Sequence, residues 1–111
     1  MSADGFVEVA KVSEIPVGAT KFVEVNGTPV ALCNVDGQIF AVGNVCTHDG
    51  GALSGGFLED HAIECPRHGA RFDVRSGKVL ALPAPLPIPT YDVKVEGDVV
   101  KVKVERTADR V

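Results

Sequence analysis

The sequence predicts an all-β fold, an antiparallel sandwich or barrel with an inserted subdomain of short strands and loops. Three observations carry it: apolar and polar residues alternate in short runs, glycine-containing turns break those runs at hairpin spacing, and no stretch shows a helical period. A chain of 111 residues folds as one domain, large enough to bury roughly 65% of its unfolded surface and too small for a second core. We expect the base sheets over about residues 6–42 and 90–105 and the insertion over about 43–89.

The elements follow in order. A first strand is expected near Val7–Val9. Asn26-Gly27 separates Phe22–Val25 from Pro29–Val35, and Asp36-Gly37 joins that run to Gln38–Val42; both dipeptides suit the positive backbone angles of tight hairpins. Within the insertion the strand-like runs, Ala62–Glu64 and Ala70–Val74, are short and the loops long. Pro83, Pro85, Pro87 and Pro89 alternate with Ala84, Leu86 and Ile88, a pattern of stiff extended loop rather than helix or central strand. A last hairpin turns at Glu96-Gly97-Asp98, with Val93 and Val95 before it and Val100, Val102 and Val104 after it on one dry face.

Composition narrows the function. Hydrophobic residues at 45% and charged residues at 23% describe a globular protein, not a disordered one. A net charge of −4 with dispersed basic residues argues against nucleic-acid binding. The N-terminal residues lack the pattern of a secretory signal, and no apolar run approaches the roughly 20 residues that span a bilayer, so we expect a cytoplasmic protein without membrane contact. Three cysteines, an odd number, fit metal or redox chemistry better than a disulfide framework.

The cysteines' neighbours point to a metal. Cys46-Thr47-His48 and Cys65-Pro66-Arg67-His68 each offer one thiolate and one imidazole beside turn residues, Asp49-Gly50-Gly51 and Gly69. Two centres suit such a set. A structural zinc takes Cys₂His₂, but usually with ligands two to four residues apart, and Cys-x-His is tighter. A binuclear iron–sulfur centre takes two thiolates on one iron and two imidazoles on the other, leaving the oxidised unit formally neutral and easier to reduce than an all-thiolate cluster.

Cys-x-His followed by Cys-x-x-His, with Gly51 and Gly69 nearby, resembles the Rieske family, in particular the small ferredoxins that serve bacterial aromatic-ring dioxygenases. The likeness spans about residues 6–105 and includes His68-Gly69-Ala70-Arg71-Phe72-Asp73, Ser76-Gly77 and Leu82-Pro83-Ala84-Pro85, the last similar to the family's proline loop over the cluster. The resemblance implies a Rieske-type sandwich or barrel and one [2Fe–2S] cluster ligated by Cys46, His48, Cys65 and His68. It also implies a soluble, monomeric carrier without catalytic residues of its own, passing single electrons from a flavin-dependent, NAD(P)H-oxidising ferredoxin reductase to a terminal Rieske non-haem iron oxygenase. Alternative roles are the small Rieske subunit of a stable oxidoreductase, as in assimilatory nitrite reductase, and a structural zinc module.

Departures from the high-potential branch sharpen the expectation. Respiratory Rieske proteins carry an extra cysteine in each ligand loop, joined as a disulfide; here those positions hold Gly51 and Arg67. They also place a serine and a tyrosine whose hydroxyls donate to sulfur, where this chain has Ala70 and Phe72. Absent donors leave the reduced, more negative state less stabilised. The expected potential is about −150 to 0 mV, the lower part of the Rieske range.

Other polar residues have simpler readings. Cys33 falls inside a strand pattern, as a buried core thiol does. His61 reads as an exposed turn residue, Asp49, Asp60 and Glu64 as an acidic docking surface or a solvated face, and Arg67 as a cluster-shielding or partner-facing cation or a solvated one. Ser54, Ser76 and Thr47 lack a histidine and carboxylate with which to form a nucleophile, and the glycines at 50, 51, 55 and 56 precede no Gly-Lys-Ser/Thr.

Overall fold

The structure, a computed structural model, describes residues 5–44, 53, 55–65, 70–81 and 87–104. Its strands are β1 (Val7–Lys11), β2 (Thr20–Val25), β3 (Thr28–Val35), β4 (Gln38–Gly43), β5 (Phe57–Glu59), β6 (Ala62–Glu64), β7 (Arg71–Asp73), β8 (Val79–Ala81), β9 (Thr90–Glu96) and β10 (Val99–Lys103). No α-helix occurs among the described residues; a single 3₁₀ turn, Val12–Glu14, follows β1.

Six strands form one antiparallel sheet in the order β1-β10-β9-β4-β3-β2, and its edge strands β1 and β2 come together so that it nearly closes into a barrel. The hairpins arise where the dipeptides require them. Asn26 and Gly27 adopt φ of 51° and 84°, Asp36 and Gly37 54° and 94°, values that Asn, Asp and Gly tolerate and that match the twist of two-residue hairpins. β5 to β8 form a second antiparallel sheet in sequence order. The edge strands of that sheet, β5 and β8, are three residues each, too short to show a period, and lie outside the strand-like runs the sequence predicts. β7 is likewise shorter than the Ala70–Val74 run, because Val74 already belongs to the turn.

The two sheets share β3 and β4 as a common wall. Cross-strand register puts Val30, Leu32 and Asn34 opposite Gly43, Ala41 and Ile39 on the barrel interior, and Ala31, Cys33 and Val35 opposite Val42, Phe40 and Gln38 on the other face. The interior set packs with Val23, Val25, Val100 and Val102. The outward set packs with Leu53, Ile63, Cys65, Ala70, Phe72, Val74 and Ile88 of the smaller sheet and its loops. β3 is therefore buried on both faces from Val30 to Val35, which explains its near-continuous apolar run. Cys33 lies in that wall, fully buried, and burial pushes its thiol up to about 12, so it is a core side chain.

Candidate metal centre

Of the four expected ligands, Cys65 lies within the described residues; Cys46, His48 and His68 lie outside them, as do Asp49, Gly51, Arg67, Gly69, Pro83 and Pro85. What the structure shows is the ground from which the two segments carrying these candidate ligands spring.

The second segment leaves β6 and enters β7. Its stem is closed by the Cys65 amide, which donates to the Ala70 carbonyl at 2.7 Å, next to the Glu64–Arg71 cross-strand pair. Cys65 is 1% exposed and belongs to the same apolar core as Leu53, Ala70 and Phe72. Ala70 and Phe72 are fully buried there, so neither position offers a hydroxyl to that core.

The first segment leaves β4 and returns at Leu53. The Asn44 amide donates to the Pro29 carbonyl at 3.1 Å, extending the β3–β4 ladder by one step. Its side-chain Oδ1 accepts the Leu53 N–H at 2.9 Å, spanning the ends of residues 45–52. Leu53 is fully buried, its carbonyl accepts the Gly56 N–H at 3.0 Å, and the amide before that one, of Gly55, donates to Thr20 Oγ1 at 2.9 Å.

The two stems meet at Gly56. A Cβ added there would lie 2.1 Å from the Glu64 carbonyl oxygen and 3.0 Å from that of Leu53, both backbone atoms, so only glycine permits this approach. The residue before Cys65 and the residue that closes the first segment are thereby held against the same point. The far end of the insertion is also tied down. Gly77, at φ 80°, accepts the Ile88 N–H at 2.9 Å, and the Pro89 carbonyl accepts the Gly43 N–H at 2.8 Å.

Charges around the second stem are paired. Arg71 reaches Glu59 on β5 through its Nη2 and lies 3.6 Å from Glu64 through its Nε. Glu64, read from sequence as part of an acidic face, is thus compensated by Arg71, while Asp60 is exposed. His61 does occupy a turn, with Asp60 at φ 54°, but it is half-buried, its ring edge-on to Phe40 at 5.7 Å, because β5 and β6 fold back onto the shared wall. Asn44, Gly56, Arg71 and Gly77 were not singled out for these tasks in the sequence; of these, only glycine at a tight crossing leaves a trace in composition.

The donor chemistry fits an iron–sulfur centre: Cys65 would offer a soft sulfur donor from a dry stem, and the first stem, which meets it at Gly56, closes the span that carries Cys46-Thr47-His48. Comparison with known proteins identifies the family. Residues 5–92 match the family model described as Rieske [2Fe–2S] domain. The chain is 45% identical over 100 residues, 90% of its length and 96% of the relative's, to the ferredoxin component of the naphthalene 1,2-dioxygenase/salicylate 5-hydroxylase systems of Ralstonia sp. Among solved structures, it matches the ferredoxin of carbazole 1,9a-dioxygenase from Nocardioides aromaticivorans IC177 with a TM-score of 0.86 and 34% identity, covering 90% of this chain and 98% of that one. It also matches, with a TM-score of 0.82 and 32% identity over 91% of this chain and 98% of the other, a structure described as the complex of reduced oxygenase and oxidised ferredoxin in carbazole 1,9a-dioxygenase. The converging stems, the buried Cys65 and these likenesses lead to one conclusion: the chain belongs to the Rieske [2Fe–2S] family and is an electron-transfer ferredoxin similar to those of aromatic dioxygenase systems.

Proposed function

We propose that this chain takes single electrons from a flavin-dependent, NAD(P)H-oxidising reductase and delivers them to the Rieske centre of a terminal aromatic-ring oxygenase. Cys46 and Cys65 hold one iron in this reading, and His48 and His68 the other. The observation that carries it is the convergence of the two Cys/His-bearing stems at Gly56, beside a core that buries Cys65. When bound, the [2Fe–2S] cluster accepts and releases one electron. The protein's own contribution is a dry setting for the Cys65 thiolate and two anchored stems that limit movement of the ligands. Ala70 and Phe72, buried without hydroxyls, favour a potential of about −150 to 0 mV.

The chain works in this role as a freely diffusing cytoplasmic monomer with all 111 residues in one domain. The support for an oxygenase partner is the 32% identity to the ferredoxin seen with its oxygenase. Purified protein should contain two irons and two acid-labile sulfides per chain, and Cys65→Ser or His68→Ala should abolish that stoichiometry. One zinc without sulfide would falsify the reading. Turnover reconstituted with candidate reductase and oxygenase pairs, and lost when the chain is omitted, tests the carrier role. Persistent copurification with one enzyme would make it a fixed subunit instead.

A further inference from the structure

Two asparagines, Asn34 and Asn44, are the buried polar residues among those described, and they stand at opposite ends of the shared wall. Asn34 braces the end remote from the ligand segments: its Nδ2 donates to the Ile15 carbonyl at 2.6 Å and its Oδ1 accepts the Gly37 N–H at 2.8 Å. Asn44 braces the other end, its Oδ1 accepting the Leu53 N–H at 2.9 Å. The second segment has its stem closed by backbone alone, Cys65 to Ala70. In the first, a side chain makes the closing contact between Asn44 and Leu53, and a side chain can be replaced.

We infer that Asn44 is a positioning residue for the iron–sulfur centre, its carboxamide oxygen fixing the span across which the first Cys/His pair is presented. The inference rests on the ligand assignment above for Cys46 and His48, both inside that span. A buried carboxamide costs free energy unless its polar atoms are satisfied, so a bare spacer would serve better as an apolar residue. Asn44 is 6% exposed, and Leu53, whose amide it holds, is itself locked in the core and through its carbonyl to Gly56. The contact therefore ties the first stem to the point where the second one arrives. Losing it leaves the Leu53 N–H unpaired in an apolar setting, relieved only by movement of the stem. Groups that orient metal ligands typically change metal retention by about 10- to 100-fold when removed.

The test uses holoprotein carrying Asn44→Ala, Asn44→Ser, Asn44→Asp or Asn34→Ala, with iron release to bathophenanthroline disulfonate and the g-values of the dithionite-reduced protein as readouts. Asn44→Ala should release iron about tenfold faster than wild type and shift the g-values. Asn44→Ser, which keeps a shorter acceptor, should fall between and serves if the alanine variant does not fold. Asn44→Asp keeps an Oδ acceptor in either protonation state and should restore release to within about threefold of wild type. Asn34→Ala should lower thermal stability with wild-type g-values and release. Wild-type behaviour of Asn44→Ala and Asn44→Ser, equal acceleration by Asn34→Ala, or no recovery in Asn44→Asp would each overturn the inference while the ligand assignment stands. A wild-type protein without two irons and two sulfides would overturn both.

Discussion

Placing hydroxyls at positions 70 and 72 should raise the reduction potential by an amount that can be worked out beforehand. Ala70 and Phe72 are fully buried in the core that contains Cys65, and the Ala70 carbonyl accepts the Cys65 amide at 2.7 Å. A hydroxyl on either residue enters a region closed to water, where a hydrogen bond to a charged acceptor is worth about 1.5–3 kcal/mol. The reduced centre carries one more negative charge than the oxidised one, so about 1–2 kcal/mol of that favours reduction. With about 1.4 kcal/mol per factor of ten and about 59 mV per factor of ten for one electron, each hydroxyl should add about 40–85 mV. The double variant Ala70→Ser, Phe72→Tyr should gain about 80–170 mV if the two act independently. The assay is a redox titration of wild type, both single variants and the double, with urea unfolding alongside. A folded double variant within about 20 mV of wild type would refute the reasoning. A drop of about 1–3 kcal/mol in stability without a rise in potential would show that the new hydroxyls found no acceptor.

Other outcomes follow from the same geometry. Gly56→Ala forces a Cβ to 2.1 Å from the Glu64 carbonyl, so β5 must part from β6; we expect about 3 kcal/mol of destabilisation by urea titration, and a loss below about 0.5 kcal/mol would contradict the crossing. Hydrogen bonds from Arg75 hold the Asp73 carboxyl down to about 2 from 3.8, so its stabilising effect is complete above pH 4 and disappears as pH falls from about 4 to 2. The pair is open to water on the Arg75 side, which weakens it; Asp73→Asn should flatten that acid slope, and identical acid profiles for the two proteins would sink the prediction. With its thiol pushed up to about 12, Cys33 carries a thiolate fraction of only about 10⁻⁴ at pH 8. Iodoacetamide should therefore label Cys33 in folded holoprotein only as fast as the protein opens globally, and mass-spectrometric labelling faster than that would show a local opening of the shared wall.

The sequence revealed most where one residue settles a local conformation. Asn26-Gly27 and Asp36-Gly37 mark their hairpins because few other residues accept positive φ, and Val100 and Val102 mark a dry face because strand side chains alternate, whereas Val95, expected on that face, is exposed near the hairpin tip. The candidate ligands stand out in the sequence for a different reason: Cys-x-His and Cys-x-x-His are dense in donor atoms that few other functions would group together, and of the four only Cys65 lies within the described residues. What stayed hidden depends on contacts between distant residues. The acceptor role of Asn44 toward Leu53 crosses nine positions, and Arg71 reaches Glu59 across twelve. Neither leaves a periodic trace. β5 and β8 escaped notice because strands of three residues are defined by their neighbours' hydrogen bonds more than by their own side chains.

The way the smaller sheet is attached bears on what the chain does. The polypeptide leaves the barrel at the end of β4 and comes back at the start of β9, and these strands pair directly, Ala41 with Tyr91 and Val42 with Thr90. The insertion therefore begins and ends at one point of the wall, further closed by Gly43 donating to the Pro89 carbonyl. A unit hung from a single root could swing, yet the apolar cluster joining Ala31, Cys33 and Val42 to Ile63, Phe72 and Ile88 fastens it along its length. Swinging it would expose that cluster, and at roughly 25 cal/mol per Å² of apolar surface even a few hundred Å² costs several kcal/mol. On the ligand assignment proposed above, a base fastened in this way would limit how far the protein rearranges when the charge of the centre changes, so little free energy would go into that rearrangement at each transfer. A carrier that must accept and release the same electron with different partners gains speed in both directions from that rigidity.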